Sequence, residues 1–138
     1  MSDIYYRGRL IDHVHLRVSD LAAAKRFYRA VLAALGREPT YESDEAISFD
    51  ELWIDAAGDA GPSRVHLAFQ AADRDAVKRF HDAGLTAGGQ DNGAPGERAY
   101  HPGYYAAFLL DPDGHNVEAV IHGPTERNVD SVEFRLKR

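Results

Sequence analysis

An α+β architecture is predicted for this chain: two βαβββ modules, each a sheet covered on one face by its helix. Three observations predict it. The first is an internal repeat. Shifted by 53 positions without a gap, the first half meets the second at His13/His66, Asp20/Asp73, Lys25-Arg26-Phe27/Lys78-Arg79-Phe80, Leu32/Leu85 and Gly36/Gly89. A fixed period of this kind marks duplicated supersecondary units. The second is a change of hydrophobic period inside each unit, from strand alternation to helical spacing. The third is Asp111-Pro-Asp-Gly114, a tight-turn sequence between two apolar runs, which predicts a hairpin.

Each element follows from its residues. Over 10–18, Leu10, Val14, Leu16 and Val18 alternate with His13, His15 and Arg17, so a strand forms with the histidines on its polar side. Ser19 or Asp20 caps the helix that follows, and Leu21, Ala24, Phe27, Tyr28, Val31, Leu32 and Leu35 recur at helical spacing until Gly36 ends it. Short strands are expected over 37–42, 46–49 and 52–56. The seam between the modules is the glycine- and proline-bearing stretch 58–63. In the second module Val65, Leu67 and Phe69 oppose His66, Ala68 and Gln70. The second helix starts at Asp73 and buries Val77, Phe80 and Leu85. Residues 88–103 are rich in glycine and proline and are expected to form a long inserted loop carrying Arg98, Tyr100 and His101. The hairpin strands are 104–110 and 116–121. All 138 residues are read as one domain, with module 1 at about 9–57, module 2 at about 64–122 and a tail over 123–138.

Composition narrows the function. Lys and Arg number 16 against 22 Asp and Glu, for a net charge of −6, so there is no basic excess to neutralise a nucleic-acid backbone. With no cysteine, disulfides, thiolate metal sites and a cysteine nucleophile are excluded. No apolar run reaches the roughly 20 residues that span a membrane. The opening residues Met1-Ser-Asp-Ile-Tyr-Tyr-Arg lack the apolar stretch of a secretory signal, so a cytoplasmic location is expected.

Seven histidines stand out in such a chain. His13 and His66 occupy one register of the repeat on two central strands, and a third metal ligand is expected on a neighbouring strand. Val117, Ala119 and Ile121 form the apolar side of the last hairpin strand, which leaves Glu118 on the other side as that candidate. Two imidazoles and a carboxylate leave coordination positions open for substrate and suit iron(II), manganese, nickel, cobalt or zinc.

The segments Ile11-Asp-His-Val-His-Leu-Arg-Val-Ser-Asp20 with Phe27-Tyr28, Val65-His-Leu-Ala-Phe69, and Leu110-Asp-Pro-Asp-Gly-His-Asn-Val-Glu118 resemble the vicinal oxygen chelate superfamily. That superfamily holds glyoxalase I, extradiol dioxygenases, methylmalonyl-CoA epimerase, and the fosfomycin and bleomycin resistance proteins. The resemblance spans residues 10 to 122 and is strongest to small glyoxalase-like proteins carrying Asp91-Asn-Gly-Ala-Pro-Gly96 and His101-Pro-Gly-Tyr-Tyr105. It implies the glyoxalase/dioxygenase fold, paired modules forming a curved mixed sheet around a cleft, usually as a dimer, and metal ligands at His13, His66 and Glu118. Glyoxalase I usually adds a fourth ligand from the first repeat, and laying residues 53–56 over 116–119 puts Asp55 there, one methylene shorter than a glutamate. Fosfomycin-resistance transferases carry hydroxyl residues before the Asp-Pro-Asp-Gly turn. Here Ala106 and Phe108 stand there, which argues against phosphonate binding, although Arg127 takes the place of their substrate arginine.

Side-chain parity makes His15, Tyr104 and Phe108 candidate substrate-binding residues, and Trp53 from the facing repeat with Arg98, Tyr100 and His101 from the inserted loop are further candidates. The reading is a divalent-metal-dependent lyase or dioxygenase acting on a small, oxygen-rich organic substrate. In it Glu118 is the catalytic residue as well as a ligand, able to leave the ion and move a proton, as the resemblance to glyoxalase I implies. The rival reading is a non-catalytic protein that sequesters a drug or metabolite. A homodimer is expected, with the site either inside one chain or shared between two.

Overall fold

The computed structural model describes residues 4–137. Each module contributes one four-stranded sheet and one helix. The first holds β2 (Val14–Val18), α1 (Leu21–Ala34), β3 (Tyr41–Glu42), β4 (Ala46–Phe49) and β5 (Leu52–Ala56), and a single 3-10 turn follows at Gly58–Ala60. The second holds β6 (His66–Gln70), α2 (Arg74–Thr86), β7 (Gln90–Glu97), β8 (Tyr105–Leu110) and β9 (Asn116–Ile121). The sheets have matching orders, β2-β5-β4-β3 and β6-β9-β8-β7, with the first pair of each parallel and the others antiparallel. Outside the modules, β1 (Ile4–Arg7) pairs antiparallel with β10 (Val132–Arg135), a ribbon the sequence did not suggest.

The helices form for the reasons their sequences state. The Asp20 side chain accepts from the Ala23 N–H, and the Asp73 side chain accepts from the Ala76 N–H. Each satisfies an N–H that a helix start leaves free. At the end of α1, Gly36 takes a left-handed φ of 83°, and the Arg37 N–H returns 2.8 Å to the Leu32 carbonyl, closing the helix. Phe27, Tyr28, Val31, Val77 and Phe80 are fully buried and join Leu16, Ile47, Ile54, Leu109 and Val117 in one core. In α2 the tight contact is at Gly84, where an added Cβ would lie 2.2 Å from Leu109 Cδ1 and 3.0 Å from Val31 Cγ1. Leu85, expected inside, is 42% exposed, because helical rotation gives the inner position to Gly84.

Three further expectations change. The 88–103 insertion is not all loop: residues 90–97 form β7, an edge strand with register shifts between Asp91 and Gly93 and between Gly93 and Gly96. Bulges at an edge accommodate glycine, and Pro95 loses nothing where no outer neighbour needs its N–H, so the alternation that announces a strand is missing. The expected strand at 37–42 shortens to Tyr41–Glu42. The expected strand at 10–18 begins only at Val14, and residues 8–13 are exposed.

Candidate metal centre

In the second module, β6 turns Leu67 and Phe69 inward and leaves His66, Ala68 and Gln70 on the open face. On the parallel neighbour β9, Ala68 is opposite Glu118 and His66 is opposite Asn116. His66 therefore reaches Glu118 diagonally, Nε2 to Oε1, at 2.8 Å. Glu118 is only 1% exposed, whereas the His66 side chain is 51% exposed. The other Glu118 oxygen accepts from the Tyr104 hydroxyl. Burial, and then the carboxylate it faces, push the Tyr104 hydroxyl up to about 12, so it stays a donor at neutral pH. The Phe108 ring lies 6.1 Å from the His66 ring.

The first module repeats this arrangement with a different histidine. His15 is opposite Trp53 on β5, and Arg17 is opposite Asp55, so His15 reaches Asp55 on the same diagonal, at 2.6 Å. The Trp53 indole N–H donates to the second Asp55 oxygen at 3.1 Å, as Tyr104 does to Glu118. By strand register, then, His15 is the counterpart of His66, although the ungapped repeat aligns His13. The strand repeat and the helix repeat differ by two positions, and Ala71 and Ala72 before the second N-cap absorb the slip. His13 precedes β2, 66% exposed, with Nδ1 2.7 Å from its neighbour Asp12.

Asp55 illustrates the balance of forces at this pair. Burial pushes its carboxyl up, but the hydrogen bonds from His15 and Trp53, aided by the charges of His15 and Arg17, outweigh it and hold the group below its usual value. A lowered native pKa stabilises the fold above the unfolded value near 3.9, and that contribution disappears as pH falls through the native value. Asp55→Asn is therefore expected to lose stability at neutral pH and to converge on the native protein below about pH 3. Denaturant melts across that range check it.

The remaining candidates divide by what holds them. Arg98 is committed to its own loop, donating to the Gly96 and Ala94 carbonyls at 2.9 and 2.8 Å with its guanidinium over the Phe108 ring. Tyr100 is 72% exposed and packs edge-on against Tyr104. His101 lies beside Tyr104 and beside His122, a residue the sequence reading passed over because it falls one position beyond the β9 alternation. Arg127 donates to the Gln70 side chain. Among the described residues, no three His, Asp or Glu side chains converge closely enough to hold an ion. One chain thus offers His66 with Glu118, and separately His15 with Asp55.

A buried network three residues upstream sets the register of the pair. Asp111 Oδ2 accepts from the Tyr28 hydroxyl at 2.6 Å and lies 2.8 Å from His115 Nδ1, while Oδ1 accepts the backbone N–H groups of Asp113 and His115. His115 Nε2 is 3.0 Å from the Ser63 hydroxyl. These bonds tie the stretch entering β6 to the turn entering β9. A depression of about 550 Å³ lies there, lined by Ser63, His66, His115 and Asn116 among others.

The profile of the Glyoxalase/Bleomycin resistance protein/Dioxygenase superfamily matches residues 10–119. A solved glyoxalase/bleomycin resistance protein from Albidiferax ferrireducens is 30% identical, with a TM-score of 0.72 over 81% of this chain and 98% of that one. A lactoylglutathione lyase from Agrobacterium tumefaciens is 21% identical with a TM-score of 0.59, covering 83% of this chain and 94% of its own. A mutant glyoxalase I from Zea mays is 24% identical with a TM-score of 0.57, over 78% of this chain and 44% of that one. These last two are alike in fold. No curated protein matches the chain. No helix among the described residues is long and apolar enough to cross a membrane. With most of its length matched and both modules built alike, the chain belongs to the Glyoxalase/Bleomycin resistance protein/Dioxygenase superfamily.

Proposed function

We propose that the protein is a divalent-metal-dependent enzyme of glyoxalase/dioxygenase type, acting on a small organic molecule that offers a pair of oxygens. The observation that carries this reading is the His66–Glu118 pair, an exposed imidazole on a buried carboxylate across two parallel strands. The donor set fits a borderline divalent ion, since imidazole and carboxylate suit such metals. When bound, the ion supplies Lewis acidity toward substrate oxygens. Tyr104 holds Glu118 by its second oxygen, orients it and supplies a proton donor at the same edge. In the leading reading Glu118 also moves the substrate proton.

His13 completes the set from a second copy of the chain. What supports this is the position of His13 in an exposed segment with Leu10 and Ile11, 89% and 51% exposed, at the start of β2, the terminal strand of its sheet. Strand β6 is likewise the terminal strand of its sheet. Sheet edges invite strand partners, and a two-fold pairing of β2 with the partner's β6 gives an isologous dimer.

The test is elemental analysis of untagged protein, followed by calorimetric titration of chelator-stripped protein with the ion. About one ion per chain is expected to be lost with His66→Ala or Glu118→Ala. Histidine ligands bind as neutral imidazoles, so affinity is expected to weaken as pH drops below about 6.5, with protons released on binding. An affinity that is flat in pH and accompanied by no proton release would favour a sequestering protein with a metal-free cleft.

A further inference from the structure

Outside the pairs already described, two further histidines meet at the end of β9. His101 Nε2 lies 2.9 Å from His122 Nδ1, the rings are stacked with centroids 5.2 Å apart, and both residues are exposed. Their approach is built into the backbone. Gly103 and Gly123 have left-handed φ values of 88° and 106°, and a Cβ at Gly103 would sit 3.1 Å from both the Gly123 Cα and the His122 carbonyl oxygen. Only glycine allows the 98–104 loop to lie this close against the end of β9. The Tyr104 N–H to His101 carbonyl bond (3.2 Å) and the Arg98 N–H to Tyr104 carbonyl bond (2.9 Å) hold the loop in that position.

The tautomer of His101 follows from its other nitrogen. Nδ1 is 2.9 Å from the Pro102 carbonyl oxygen, an acceptor only, so Nδ1 carries the hydrogen and Nε2 presents a lone pair. A backbone carbonyl on the remote ring nitrogen is the usual device that orients a metal-binding histidine. The spacing agrees. Two nitrogens each about 2.05 Å from one ion are about 2.9 Å apart across a right angle and about 3.3 Å across a tetrahedral one. Turning the exposed His122 ring replaces the shared hydrogen with an ion lying beside the line between the two nitrogens.

The geometry points to a second metal site, in which His101 Nε2 and His122 Nδ1 chelate a divalent transition ion with water completing the shell. Imidazole pairs take copper(II) ahead of nickel(II) and zinc, by the general affinity order. The site stands 5.3 and 5.1 Å, ring to ring, from the Tyr104 side chain that donates to Glu118. It is distinct from the His66–Glu118 centre and does not depend on the function proposed there.

The test uses full-length, untagged, chelator-stripped protein titrated with copper(II), read by calorimetry and by electron paramagnetic resonance. In the His66→Ala/Glu118→Ala background one copper per chain is expected, with splitting from two nitrogens. Adding either His101→Ala or His122→Ala is expected to abolish that stoichiometric binding while circular dichroism is unchanged. In the otherwise native chain, each single His variant is expected to lose one ion and keep the ion that Glu118→Ala removes. Copper binding that survives both His101→Ala and His122→Ala, or no binding in the double-variant background, overturns the site. A native chain that loses no ion with Glu118→Ala but loses one with His122→Ala refutes the His66–Glu118 centre and leaves this site standing.

Discussion

Glu118→Ala is expected to strip the proposed catalytic ion from the protein and to lower its melting temperature by about 10 °C under saturating metal. The first effect follows from position: among the described residues Glu118 is the only buried carboxylate on the open face, 2.8 Å from the His66 imidazole. The second follows from mass action. A ligand at about 100 times its Kd stabilises by about 2.7 kcal/mol, and a chain of this size gains roughly 3–5 °C per kcal/mol. The same substitution in the chelated protein should cost much less, because His66 and Tyr104 keep access to water. Equal melting losses with and without metal would refute the metal role. A site shared between two chains, as proposed, has its own signature. His13→Ala and Glu118→Ala homodimers are each expected to be inactive and metal-poor, while their mixture recovers one intact site in half of the hetero-assemblies' positions. A mixture that recovers nothing places all the ligands in one chain.

Asp111→Ala is expected to be the most damaging single change away from the centre, costing about 3 kcal/mol, the upper end for leaving buried hydrogen-bonding groups without partners. Asp111 is 4% exposed and accepts from the Tyr28 hydroxyl, from His115 and from two backbone N–H groups. Alanine leaves these donors buried without partners, and an unsatisfied buried polar group costs about 1–3 kcal/mol. Asp111→Asn keeps one acceptor oxygen and should lose about half as much. The loss should also reach the metal centre, since the network holds the entry to β6 against the entry to β9 three residues before His66 and Glu118. Guanidinium melts, with metal content measured on the folded protein, check both effects.

The duplicated architecture was legible in the sequence because local rules agree throughout. The Asp20 and Asp73 caps, the apolar stripes of both helices, the Asp-Pro-Asp-Gly turn and the strict alternation in β6 each specify their element without help from distant residues. Strands β4, β5 and β9 match the spans expected from the sequence. Strand β7 escaped because glycine, proline and two bulges erase the period on an edge where backbone pairing, not side-chain packing, holds the strand.

For the candidate site, the sequence by itself determined the residue types and the strands that carry them: a histidine on each parallel edge strand and a carboxylate on its neighbour. It placed Glu118, His66 and Tyr104 on elements able to meet. Which histidine faces which carboxylate was decided only by tertiary structure. An ungapped repeat equates His13 with His66, yet strand register sets His15 against Asp55, because the slip taken up by Ala71 and Ala72 leaves the helix repeat intact and shifts the strand repeat by two. The His101–His122 contact also lies beyond sequence. It depends on two glycines far apart in the chain whose missing side chains let one backbone rest on the other, and close approach between distant segments leaves no period in either of them.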